Sequence, residues 1–205
     1  MMHSIQKIGT YWEHIPGYQD RQSCRACRRV ETMEHILINC NEPPPRIIWQ
    51  LAKNIWPEHT YEWPEISIGI ILGCGSITSP REEAHLRVDQ AEQDRRTRNT
   101  KGATRLMQIT VTESAHLIWV LRCERVIRGV THSNKEIKAR WLQAINTRLT
   151  DDKITATRIK RDKRFKKLVK TTWEPPLRKQ GELPDDWLNN REVLVGRRTQ
   201  RTPQG

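Results

Sequence analysis

A chain of 205 residues with 36% hydrophobic and 29% charged side chains carries too little apolar material for one uniformly packed globule, so a compact part with extended appendages is expected. The formal net charge of +12 is uneven: residues 1–102 hold 13 basic and 13 acidic side chains, and residues 103–205 hold 23 and 11. That excess repels itself and points to a polyanion, nucleic acid ahead of an anionic membrane surface, with a solvated tail that has no partner as the competing reading. No apolar run has the length of a membrane span, and the opening MMHSIQKIGTYW lacks the apolar core of a secretory signal. The expected compartment is therefore intracellular, the nucleus included. There, five cysteines, an odd count, favour metal over disulfides.

In chain order, residues 1–20 form a short polar segment with aromatic side chains and a turn at Ile15-Pro16-Gly17. Residues 21–76 open with Cys24-x2-Cys27-x7-His35-x4-Cys40. A CxxC turn sets two sulfurs on one side of a tight loop, and a helical turn through Ile36 and Leu37 returns His35 and Cys40. Three sulfurs and one imidazole complete a tetrahedral Zn2+ site, with bonds of roughly 2.3 Å to sulfur. Such a site is closed and structural, a small Cys3His knuckle. The competing readings are ordinary thiols and, for the imidazole, His14. Cys74 and Cys123 read as small buried hydrophobes.

Pro43-Pro44-Pro45 leads into an amphipathic helix with Ile47, Ile48, Leu51, Ala52, Ile55 and Trp56 on one face, stopped at Pro57. Residues 66–72 are β-branched and apolar, which fits a short buried strand or an extended core segment. Residues 77–102 are dense in charge and read as a polar, disordered linker. Residues 103–150 form a helical pair. Its first helix is most buried at Leu117 to Leu121 and ends at Gly129. The second starts at Ser133, with Glu136 completing a capping box, and carries Ile137, Trp141, Ala144 and Ile145 on its apolar face. Trp49, Trp56, Trp119 and Trp141 are counted as core. Residues 151–205 read as a basic, Pro-punctuated tail, in which positions 153–170 hold nine basic side chains against Asp162 alone. The expected fold is mainly α.

The stretch Tyr11-Trp12, Ile15-Pro16-Gly17-Tyr18 and the Cys/Cys/His/Cys cluster resembles the C-terminal zinc-binding region of fungal LINE-type (non-LTR) retrotransposon polyproteins. Met33-Glu34-His35-Ile36-Leu37, Ile71-Leu72-Gly73-Cys74-Gly75, Glu113 to Trp119, Leu121 to Ile127 and Leu183-Pro184-Asp185-Asp186-Trp187 are similar to its downstream phrases. The resemblance implies a truncated fragment lying after the reverse transcriptase and RNase H domains, without their catalytic carboxylates and without enzymatic activity. It also implies RNA or DNA as partner; the alternatives are a protein-interaction module that docks onto a reverse transcriptase/RNase H body and a decayed, functionless remnant. Neither a membrane nor a small-molecule substrate is expected. Arg21, Arg25, Arg28 and Arg29 beside the first ligands are candidate phosphate contacts. So are Lys160, Arg161, Lys163, Arg164, Lys166 and Lys167 in the basic block. Tyr11, Trp12 and Tyr18 are candidates for stacking on unpaired bases, with packing the preferred role for Trp12.

Overall fold

The computed structural model describes residues 7–57, 62–76, 90–159, 162–177, 183–184, 186–190 and 192–196, with the backbone alone over 90–99. The described residues are mainly helical and include no strand, only an isolated antiparallel bridge between Ser23 and Val30. Five α-helices carry the fold of the described residues: α1 (Pro43–Asn54), α2 (Ile68–Gly73), α3 (Gln90–Arg128), α4 (Asn134–Arg158) and α5 (Lys163–Trp173). They belong to two compact units. The first comprises Met1–Asn54, Pro64–Cys74 and Val111–Trp141, and the second Ile55–Trp63, Gly75–Thr110 and Leu142–Gly205.

In the first unit, the three prolines fill the opening turn of α1, where a missing N–H costs no helical hydrogen bond. Pro45, Ile48 and Ala52 form its buried face. Trp49 is half-buried and donates its indole N–H to the Leu37 carbonyl at 2.8 Å. The apolar run at 66–72 departs from expectation. Ser67 caps a helix there by accepting from the Ile70 amide at 3.2 Å, and no residue of α2 is buried. A β-branched run becomes a strand only where an edge is available to pair, and the described residues offer none.

The end of α3 and the start of α4 pack side by side within this unit. Gly129 turns the chain with φ of 70°, a conformation that costs glycine little. The capping box closes: Ser133 N donates to Glu136 Oε2 at 2.7 Å, and Glu136 N donates to Ser133 Oγ at 3.3 Å. The fully buried Trp141 donates to Ser114 Oγ at 3.0 Å.

The second unit is where the chain departs most from the sequence expectation. Of the expected linker, 77–89 lies outside the described residues, and 90–102 is the opening of α3. The Ala, Glu, Gln and Arg found there are good helix formers, and no Pro or Gly interrupts them before Gly102. The part of α3 in this unit is more buried than expected, with Leu106, Met107, Ile109 and Thr110 all buried. Helix α4 runs on past residue 150 to Arg158, again for want of a breaker.

Among its described residues, the expected basic tail carries helix and buried side chains. Asp162 caps α5 by accepting from the Arg164 and Phe165 amides, both at 2.9 Å. The helix buries Val169, Thr172 and Trp173. Asp152 accepts two bonds from Arg105, at 2.5 and 2.7 Å, and a third from the Trp173 indole at 2.7 Å. Further on, Trp187, Leu188, Val193 and Val195 are buried. Asn146 holds both backbone groups of Val195, accepting from its N–H at 2.7 Å and donating to its carbonyl at 3.3 Å. Four apolar side chains suffice to dock a segment whose polar composition hides them.

Candidate metal centre and flanking basic surface

Cys24 and Cys27 sit in a tight turn closed by backbone bonds from Cys24 N to Arg29 O at 2.9 Å and from Arg28 N to Cys24 O at 2.8 Å. The Ser23–Val30 bridge clamps its base. Arg28 takes φ of 55°, a left-handed conformation uncommon for a residue with a side chain. His35 and Cys40 come from the other side of the site. The His35 amide donates to Thr32 Oγ1 at 3.0 Å, and His35–Asn39 is a single wide π turn. An i→i+5 turn brings residue i+5 back toward residue i, and five is the separation of His35 from Cys40. An ordinary α turn would place them on different faces.

These four ligand atoms all lie within 4.8 Å of one another. Cys40 Sγ is 3.7 Å from Cys24 Sγ and 3.9 Å from Cys27 Sγ. A disulfide is far shorter. The edge of a tetrahedron with metal–sulfur bonds of roughly 2.3 Å is about 3.8 Å, so the sulfurs already stand at coordination spacing. His35 supports the same reading from a different direction. It is 6% exposed, and its Nε2 is buried without a hydrogen-bond partner, a costly state for a polar atom unless an ion fills the gap. His14, the competing imidazole, is exposed and lies outside the group.

The electrostatics agree. Burial pushes the Cys24 thiol up, but bonds from His35 and from the Cys27 and Ala26 backbone outweigh it and leave it lowered to about 7. Burial, with the neighbouring Cys24 and Cys27 sulfurs, pushes Cys40 up to about 12. Three adjacent sulfurs ionise together only when a cation shares them. The amide of Asn41 donates to Cys27 Sγ at 3.2 Å, an outer contact that orients this sulfur. The cluster is able to hold a metal ion, and the residues fit one.

A polar clamp that sequence reasoning missed fixes the His35–Cys40 half of the loop from both ends. Glu31 is buried against Arg122, whose Nε donates to Glu31 Oε2 at 2.8 Å. Arg125 lies 3.7 Å from Glu31 and donates to Glu42 at 3.0 Å. Two acids bracketing the His35–Cys40 segment, and two arginines about one helical turn apart on α3, are visible in the sequence only once their pairing is known.

The candidate phosphate contacts divide. Arg28 and Arg29 are exposed, and among the described residues neither side chain enters an ion pair. Arg25 pairs with Asp20 at 3.0 Å, both well exposed. Arg21 is half-buried, lying 4.5 Å from the Tyr18 ring centroid and 5.2 Å from that of Trp12. On α5, Lys163, Arg164 and Lys167 are exposed and Lys166 is half-exposed; Lys160 and Arg161 lie outside the described residues. Lys153, counted with the basic block in the sequence, is buried instead. Its ammonium donates to the carbonyls of Asn190 and Val193, the latter at 3.3 Å, and burial lowers its pKa.

The tryptophans of α1 and its end do not form an exposed patch: Trp56 is 6% exposed, and Trp49 is half-buried. Trp141 is core as expected, and half-buried Trp119 lies under the Arg122 guanidinium at 5.6 Å. No helix among the described residues is long and apolar enough to cross a membrane. Comparison with protein-family models, with curated proteins and with solved structures returns no match.

Proposed function

We propose that the ion is zinc and that the chain is a non-enzymatic nucleic-acid-binding fragment of a LINE-type retrotransposon polyprotein. Three thiolates and one imidazole are a donor set that zinc favours, and four protein ligands leave no position for an attacking water. The ion then has a structural role. It fixes a loop that carries few large apolar side chains, so that binding energy becomes folding energy. The polyprotein origin rests on the sequence resemblance.

The observation that carries the binding role is the position of Arg25, Arg28 and Arg29. All three are exposed on the turn that supplies two of the four ligands. A metal-locked turn presents these guanidinium groups in fixed geometry, which suits bidentate phosphate contacts. The basic face of α5, with Lys163, Arg164, Lys166 and Lys167, adds sequence-independent attraction. The work would be intracellular, on RNA or DNA that the cytoplasm or nucleus supplies. Docking onto a reverse transcriptase body through α1 is the weaker reading, since Trp49 and Trp56 do not offer the exposed apolar patch it needs.

The test is metal analysis of the purified chain together with RNA and DNA affinity across a salt series. The reading expects one zinc per chain and an affinity that falls steeply with salt, by about 0.7–0.9 logarithmic units per phosphate contact per tenfold change in salt. Absence of binding, or binding indifferent to salt, contradicts it.

A further inference from the structure

We infer that Tyr11 and Tyr18 form a stacking platform for unpaired bases, so that the nucleic acid held by the knuckle face is single-stranded. This rests on the nucleic-acid reading above and goes beyond it, since phosphate contacts alone do not distinguish paired from unpaired strands.

The N-terminal segment is a built aromatic cluster. The Trp12 and Tyr11 ring centroids are 5.1 Å apart, edge to face, and the Trp12 and Tyr18 centroids are 5.8 Å apart. Trp12 is the internal member: it is half-buried, and its indole N–H donates to the Lys7 carbonyl at 2.8 Å. The two tyrosines flanking it stay 42% and 44% exposed. Large rings left open beside a ring that is tied down form a surface with specific geometry rather than a frayed end.

Their supports are rigid. Backbone bonds from Tyr11 N to Ile8 O and from Tyr18 N to Ile15 O, both 3.1 Å, fix the two turns. Gly9 adopts φ of +52°, and a Cβ there would stand 2.5 Å from the Glu31 carbonyl, so this segment is seated directly on the backbone that enters the metal loop. A tyrosine already held in place loses little rotamer entropy when a ligand arrives.

The charge around the rings matches a nucleic acid strand. Arg21 lies over Tyr18, and Lys7 lies 5.9 Å from the Tyr11 centroid. Over residues 7–29, Lys7, Arg21, Arg25, Arg28 and Arg29 face only Glu13 and Asp20. A base laid on Tyr18 extends an existing guanidinium–aromatic stack, and the phosphates beside it meet arginines on the metal-binding turn. Bases inside a duplex cannot present their faces in this way.

The experiment compares a short single-stranded oligothymidylate with an abasic strand of the same length, which keeps the phosphates and removes the bases. Full-length zinc-loaded protein is used, as wild type, as Tyr11→Leu/Tyr18→Leu and as Tyr11→Phe/Tyr18→Phe. Wild type should bind the base-bearing strand about tenfold more tightly than the abasic one. The leucine variant should lose that preference while keeping its abasic affinity, and the phenylalanine variant should retain it. Equal wild-type affinity for both strands, or a leucine variant that still prefers bases, overturns the inference and leaves phosphate binding standing. Failure of wild type to bind either strand overturns the nucleic-acid reading and the platform with it.

Discussion

Arg122 of α3 reaches across 91 positions of chain to close a buried ion pair with Glu31, the residue that leads from the CxxC turn toward His35. The side chains are 5% and 2% exposed, so neither charge has water to fall back on. The metal loop is therefore held by two independent devices, the ligand cluster and this clamp.

Removing one partner of such a pair strands the other. Arg122→Ala and Glu31→Ala should each lower the unfolding free energy by about 3–5 kcal/mol, read from urea denaturation of the metal-loaded protein. Replacing both by apolar residues of similar volume should cost far less. A single variant within about 0.5 kcal/mol of wild type, the range of an ordinary surface substitution, contradicts the burial of this pair.

Gly102 lies where α3 meets α5, and a Cβ there would approach the Thr171 carbonyl oxygen to 2.5 Å. In an open helix, Gly→Ala stabilises by about 0.5–1 kcal/mol. Here the close approach reverses the sign. Gly102→Ala should destabilise by roughly 1–3 kcal/mol, since backbone cannot yield as a side chain tip does. Thermal unfolding of the variant decides the sign directly.

Glu124 gives the pH dependence. Hydrogen bonding to Arg140 first, opposed by burial and aided by His132, lowers its pKa from 4.5 to about 2. Arg140 donates to Glu124 at 2.6 and 3.0 Å, and His132 Nε2 lies 2.6 Å from it. The depressed carboxyl binds more protons unfolded than folded, so its contribution is complete above about 4.5 and is lost as pH falls toward about 2. Glu124→Gln should cost about 1 kcal/mol at neutral pH, given the partial exposure of the network. Its stability curve should converge on that of wild type across that acidic window. A constant gap down to the lowest pH contradicts the assignment.

The basic face of α5 can be neutralised without touching its core side. Lys163, Arg164 and Lys167 are exposed, whereas Val169, Thr172 and Trp173 are buried. Lys163→Gln/Arg164→Gln/Lys167→Gln should leave stability nearly unchanged. It should also flatten the logarithmic salt dependence of nucleic-acid binding by about 0.7–0.9 for each phosphate no longer neutralised. An unchanged slope removes α5 from the interface.

What the sequence disclosed follows from locality. The ligand set spans 17 positions, α1 shows its periodicity within four turns, and the Ser133/Glu136 box is a three-residue relation, so each was legible. The misread parts depend on distant partners. Lys153 reads as one of nine solvated cations until the carbonyls of Asn190 and Val193 are seen at its ammonium. Trp187, Val193 and Val195 are hidden by polar neighbours, and their burial is evident only against the rest of their unit. Residues 66–72 carry a strand composition without an edge to join, and the Ser67 cap makes them a helix. The π turn linking His35 to Cys40 has no composition signal at all; the five-residue separation is its only trace.

The most direct test of the account is cobalt substitution of the metal-free chain, followed by its visible absorption. One Co2+ per chain, with intense tetrahedral ligand-field bands and thiolate charge transfer that vanish in Cys24→Ser and weaken or shift in His35→Ala, is the expected result. Weak octahedral bands, or a spectrum indifferent to both substitutions, would contradict a centre built from Cys24, Cys27, His35 and Cys40.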